Sequence, residues 1–225
     1  MASGLTENIS SAIMGIGVAA SARPGHLVCP AGRGGVGELH LYRASYGPHG
    51  LGARVGYTTI DSPFGIILVA ATPHGLCWLG LSDSEPHLAD ELRRDLRAAE
   101  IARDNRAVAP IARTLVDCIV HGAPALDLSL DIRATSFQFA VWRELCAIPW
   151  GATRAYGEIA RRLGHPDAAR AVGHANGSNP LAIVIPCHRA IGADGALTGY
   201  RWGVEYKRRL LDHERALAQL SLQFG

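Results

Sequence analysis

Short apolar runs punctuated by turn residues open the patterned part of the chain near Ala53. Residues 54–59, 64–71 and 76–81 read as strands, and Asp61-Ser62-Pro63 and Pro73-His74-Gly75 supply the turn chemistry between them. The period then lengthens. Residues 88–101 and 111–120 carry apolar positions at helical spacing, and 128–132 closes a small α/β domain over 53–132. Thr135-x-x-Gln138 is a capping-box signature for a helix running to about Cys146, with Phe139, Trp142 and Leu145 on one face. Pro149-Trp150-Gly151 breaks the pattern. Two short helical stretches follow, 156–163 and 167–175, joined by Gly164-His165-Pro166 at helix-turn-helix spacing.

Asn176-Gly177-Ser178-Asn179-Pro180 then turns the chain into an apolar run, 181–186, expected to be a strand that carries Cys187 to a cleft. His188 and Arg189 come next. Thiolate is the nucleophilic form of cysteine, and two neighbours that can be cationic are expected to favour it. The first 50 residues differ from all this. They are rich in Gly, Ala, Ser and Pro, sustain no period, and read as a flexible extension.

Composition narrows the classes. The 225 residues, 48% apolar, suffice for one large or two small domains with their own cores. No apolar run approaches the roughly 20 residues of a membrane helix. The piece 13–20 is preceded by Glu7 and by no Lys or Arg, which is wrong for a signal peptide. Five widely spaced cysteines without a Cys-x-x-Cys fit reduced thiols in a cytoplasm. His26 and Cys29 lack a second pair at zinc spacing, so no metal is expected. The net charge of +2 is uneven. From Gly151 on, ten Lys/Arg oppose six acids, which invites a polyanionic partner. There is no glycine-rich phosphate loop and no methyl-donor fingerprint, so no cofactor is expected.

Several spaced motifs, in order, resemble the O6-alkylguanine-DNA alkyltransferases (methylated-DNA–protein-cysteine methyltransferases). They are Arg170-Ala171-Val172-Gly173, Asn179-Pro180, Ile185-Pro186-Cys187-His188-Arg189, Gly199-Tyr200-Arg201-Trp202-Gly203 and Leu210-Leu211-x-His213-Glu214. The resemblance covers roughly 54–214. The Gly199–Gly203 motif is most like the alkyltransferase half of the bacterial adaptive-response regulator, with 41–56 a remnant of the linker in such a fusion. The regulator's four-cysteine zinc module is not evident.

The resemblance implies a small α/β N-terminal domain and a mainly α C-terminal domain, 135–218, holding a helix-turn-helix and the active-site cysteine. It implies a cytoplasmic, monomeric, single-turnover repair enzyme acting on duplex DNA that carries O6-alkylguanine or O4-alkylthymine. Cys187 would accept the alkyl group, His188 take its proton through a water, Glu214 orient the histidine, and Tyr200 donate a hydrogen bond to the guanine ring. Asn179 would tie the recognition-helix turn to the active-site strand. On the DNA side, Arg170 would fill the gap left by the flipped base and Tyr156 crowd the target phosphate; the small Ala171 and Gly173 permit close approach to a nucleic acid and equally permit close helix packing. Two departures stand out. Ala190 replaces a commoner valine, which predicts looser packing. The polar, glycine-containing run His174–Ser178 is expected to soften the end of the recognition helix. Two other classes remain open on the residues alone: a DNA-binding regulator with a redox-sensing cysteine, and a cysteine hydrolase.

Overall fold

The computed structural model describes residues 25–31, 35–121 and 128–224. The chain forms two compact units, one built chiefly from Leu39–Asp117 with the strand Leu128–Ile132, the other chiefly from Ala134 onward.

The first unit is organised on one mixed sheet. The strands of that sheet are β1 (Gly25–Ala31), β2 (Gly35–Arg43), β3 (Arg54–Ser62), β4 (Gly65–Thr72), β5 (Gly75–Ser82), β6 (Glu100–Arg103) and β7 (Leu128–Ile132), in the order β1-β2-β7-β5-β4-β3-β6; β3 to β7 and β2 from Leu39 belong to the first unit, whereas Leu27–Glu38 is assigned to the second. β3, β4 and β5 are antiparallel neighbours, whereas β6 runs parallel to β3, and β7 parallel to both β5 and β2. Ile67, Leu68, Val69 and Ala70 of β4 are all fully buried. A central strand covered on both faces reads as a continuous apolar run, and it shows no alternation. Helix α1 (Glu85–Asp95) packs on β4 and β5 and buries Leu88 and Leu92. Helix α2 (Asn105–His121) follows β6.

Three expectations are corrected here. The extension assigned to residues 1–50 contains β1 and β2, and β2 pairs residue for residue with β7 from Leu39–Leu128 to Arg43–Ile132. Leu39-His40-Leu41-Tyr42 alternates, but over too short a stretch to stand out among glycines. Residues 1–24 lie outside the described residues. The helix read over 88–101 stops at Asp95, because the chain returns to pair Arg54–Tyr57 with Glu100–Arg103. The helix read from Ile111 begins at Asn105, where the Asp104 carboxylate accepts the Ala107 amide at 3.0 Å.

The second unit is mainly helical: α3 (Ser136–Cys146), α4 (Tyr156–Arg162), α5 (Ala169–Gly177) and α6 (Val204–Phe224). The capping box forms at α3. Thr135 Oγ1 accepts the Gln138 amide at 3.1 Å and the Gln138 side chain accepts the Thr135 amide at 2.8 Å. Trp142 is buried, and its indole N–H donates to Ala175 O at 2.8 Å, which fixes α5 on α3. Gly164, at φ +78°, makes the turn between α4 and α5. α5 does not soften early. It runs through Gly177, and the Ser178 amide still donates to His174 O at 3.0 Å. A two-residue parallel pair, β8 (Arg154–Ala155) with β9 (Ala190–Ile191), draws the start of α4 to the chain just past Arg189. Ala190 is fully buried. No helix among the described residues is long and apolar enough to cross a membrane.

Candidate active site

The segment before Cys187 is not a strand. The Val184 amide donates to Ala182 O at 2.7 Å, Ile185 to Leu181 O at 3.0 Å and Cys187 to Ile185 O at 2.7 Å. Ile183 lies at φ +67°, a conformation that strains a β-branched residue. Asn179 holds these turns together from a fully buried position. Its amide nitrogen donates to Leu181 O (3.1 Å), Ile185 O (2.8 Å) and the Cys187 sulfur (3.1 Å), while its Oδ1 accepts the Leu181 amide at 2.9 Å. An apolar run whose backbone groups find partners within a few residues needs no sheet. Cys187–Arg189 is one 3-10 turn, with all three side chains buried.

Helix α6 supplies the second half of the site. Glu214 receives His188 Nε2 at 2.7 Å, Arg189 Nη2 at 2.9 Å and the Gly151 amide at 3.2 Å. Arg189 also donates its Nε to Glu214 and its Nη1 to Ile148 O at 2.6 Å. Arg189 therefore faces the carboxylate, not the thiol. The cation that influences the thiol is Lys207. It is fully buried, and its Nζ donates to Thr198 O (3.1 Å) and Gly199 O (3.4 Å). Lys207 was missed because it heads the run Lys207-Arg208-Arg209, which reads as a solvated face. The available signal is phase. Lys207, Leu210, Leu211 and Glu214 repeat at i, i+3, i+4, i+7, and all four are buried.

Burial dominates the titration of the sulfur and pushes Cys187 up to about 11, even though Asn179, Lys207 and Tyr200 pull it down. The resting group is the thiol, which corrects the expectation of a favoured thiolate. Burial also lowers His188 below its ordinary value, against the pull of Glu214. For Glu214, burial alone would raise the carboxyl, but His188 and Arg189 outweigh it and hold it at about 2. An ionised carboxylate only accepts, so His188 Nε2 carries the proton in the bond to Glu214. Nδ1 is then a bare lone pair, buried and without a partner among the described residues.

Cys187 opens on a cavity of about 480 Å³ lined by Tyr156, Gly173, Asn176, Gly177, Tyr200 and Trp202, among others. The structure thus brings Cys187, His188, Asn179 and Glu214 into one cluster and sets Tyr200 and Tyr156 on the cavity wall. The Tyr156 hydroxyl lies 3.5 Å from Thr198 O, and the buried Tyr200 hydroxyl lies against the Cys187 thiol and helps to pull its titration down. Arg170 and Ala171 are exposed on α5, and Gly173 of the same helix lines the cavity.

Two family models match the chain. The ribonuclease-like domain of 6-O-methylguanine DNA methyltransferase matches residues 55–115, and the DNA binding domain of the same family matches 136–216. The methylated-DNA–protein-cysteine methyltransferase of Mycolicibacterium paratuberculosis is 42% identical over 168 residues, 75% of this chain and 97% of that protein. The chain belongs to this methyltransferase family. Like its relatives, this methyltransferase pairs a ribonuclease-like domain on a mixed sheet with a helical second domain. A crystal structure of Mycobacterium tuberculosis OGT in complex with DNA is 41% identical, with a TM-score of 0.58, over 72% of this chain and 94% of that one. The bifunctional transcriptional activator/DNA repair enzyme Ada of Escherichia coli is 41% identical over 71% of this methyltransferase, which spans only 45% of Ada.

Proposed function

We propose that the chain repairs duplex DNA by taking the alkyl group of O6-alkylguanine, and of O4-alkylthymine, onto Cys187 in a reaction each molecule performs once. The observation that carries this is the Cys187 sulfur at the cavity wall, beside a neutral histidine with an unprotonated, unpartnered nitrogen. The thiol proton passes through a water to His188 Nδ1, and Glu214 stabilises the imidazolium. The sulfur attacks the alkyl carbon, the carbon–O6 bond breaks, and its electron pair returns to the base as the carbonyl re-forms. Tyr200 donates a hydrogen bond to the ring as that charge develops. The product thioether has no easy leaving path, so the protein is consumed.

The target base is inside the stack and must be flipped out, at a cost of a few kcal/mol. The pair α4–α5 serves as a helix-turn-helix. Arg170 fills the gap, Ala171 and Gly173 allow α5 to approach, and a side chain at Gly173 would meet nothing within 4 Å. Tyr156 crowds the phosphate of the flipped nucleotide. The protein works as a monomer in the cytoplasm.

Mixing the protein with DNA radiolabelled in the O6-methyl group tests the reading. One equivalent bound per protein, mapped to the Cys187 peptide, is the expected result. Many equivalents would mean a hydrolase, none a binding protein, and label on Cys77, Cys118 or Cys146 would move the chemistry elsewhere.

Arg170→Ala is expected to slow repair of duplex DNA by about tenfold or more while leaving reaction with free O6-benzylguanine nearly unchanged, since Arg170 holds the stack open. Single-turnover rates on the two substrates measure this. Equal losses on both would remove Arg170 from that role.

A further inference from the structure

Gln138 is half of the capping box, and its side chain has a second end to place. The Thr135 amide can only donate, so the atom it meets at 2.8 Å is the side-chain oxygen of Gln138. The nitrogen therefore points the other way, and it donates to Ser178 Oγ at 2.8 Å. The Ser178 hydroxyl has one proton, which it gives to Ala175 O at 2.9 Å. Every direction in this chain of bonds is fixed by its neighbour. Ala175 O also accepts the Trp142 indole N–H at 2.8 Å. Two side chains of α3 thus converge on the last turn of α5. The first turn is built differently. No side chain caps the helix at Ala168, and Arg170 is exposed.

α5 is therefore pinned at the end opposite Arg170. Arg170 stands about 12 Å from Ser178 along the helix, so a tilt of about 5° about the pinned end carries it about 1 Å. An error of about 1 Å is enough to cost a positioned group much of its effect. We propose that Gln138 is a positioning residue for duplex DNA: through Ser178 it holds the last turn of α5 on α3, and so sets where Arg170 meets the base stack. This rests on the proposed flipping of the damaged base by α5. The bridge ends on α5, whereas the thiol is held by Asn179 through a separate bond. Loss of the bridge should therefore be felt by a base in duplex DNA and not by a free one.

Single-turnover rates on duplex DNA carrying O6-methylguanine and on free O6-benzylguanine test this. Ser178→Ala removes the bridge and keeps both bonds of the capping box. It should slow the duplex reaction by about fivefold, the size of one net hydrogen bond, and leave the free base within about twofold of the wild type. Gln138→Ala should do the same. The double variant should also stay near about fivefold, because the two residues make one bridge. Thr135→Ala is the structural control, since it breaks the box and leaves the bridge. Its melting temperature should fall while the ratio of the two rates stays that of the wild type. Equal losses on both substrates, losses that multiply in the double variant, or a ratio that moves as far in Thr135→Ala as in Ser178→Ala would overturn the proposal, since each is what a merely structural bond gives. Unchanged duplex rates in Ser178→Ala would overturn it too. A wild type that transfers from neither substrate would refute the repair reading itself, and the role of Gln138 with it.

Discussion

Glu214→Gln is expected to destabilise the second unit by about 3–5 kcal/mol, the typical result of removing one partner from a buried ion pair. The Arg189 guanidinium is 3% exposed and directs three hydrogen bonds at that carboxylate and one at Ile148 O. Gln keeps the shape but strands the cation. The same pair makes stability depend on pH. The folded carboxyl, at about 2, lies below its ordinary 4.5, so its contribution is complete above about 4.5 and is lost as pH falls through about 2. A shift of that size corresponds to about 3 kcal/mol. His188 acts in the same direction from higher pH, since its folded form resists protonation. Urea melts of wild type and variant between pH 7 and 2 check this. The gap between the two proteins should narrow below pH 4.5, and a gap independent of pH would contradict the assignment.

Asn179→Ala is expected to cost roughly 2–4 kcal/mol and to slow transfer near pH 7 by about tenfold or more. The substitution leaves the buried Leu181 amide without its acceptor and takes one bond each from Leu181 O, Ile185 O and the Cys187 sulfur. Asn179 is also the largest influence lowering the thiol, so its loss should move the pH–rate profile upward. The melting temperature reads the first effect and the profile the second. A variant that loses stability but keeps its profile would show that Asn179 braces the turn without tuning the sulfur.

The sequence reading succeeded where local rules decide the outcome. Thr135 and Gln138 mark the start of α3, and Gly164 falls in the turn between α4 and α5; the turn read at Asp61-Ser62-Pro63 lies further on, at Pro63-Phe64, because Asp61 and Ser62 still pair with Ile66 and Gly65 in the β3–β4 hairpin. It failed where long-range pairing decides. β6 has only one half-buried residue, Ile101, and exists because β3 needs a neighbour, so nothing in its own pattern separates it from the end of α1. The apolar run 181–186 was read as a strand because a side chain, Asn179, does the work of a neighbouring strand. In the site, Cys187 and His188 were legible as adjacent letters. Glu214 lies 26 residues beyond His188 and was legible only through the family resemblance. Arg189 was noticed but aimed at the wrong group, because adjacency in sequence does not say which way a 3-10 turn points its side chains.

In the proposed reaction each molecule is spent once, and such a reagent has to survive its own waiting time. With its thiol held at about 11, Cys187 is thiolate in only about one molecule in ten thousand at pH 7. Peroxides, disulfides and stray electrophiles react with the thiolate, and they must also reach a sulfur that is 2% exposed. The high resting value that first looks like a defect in a nucleophile is a safety catch. In the proposed reaction it holds the thiol in reserve until a bound base and the His188 lone pair release it together.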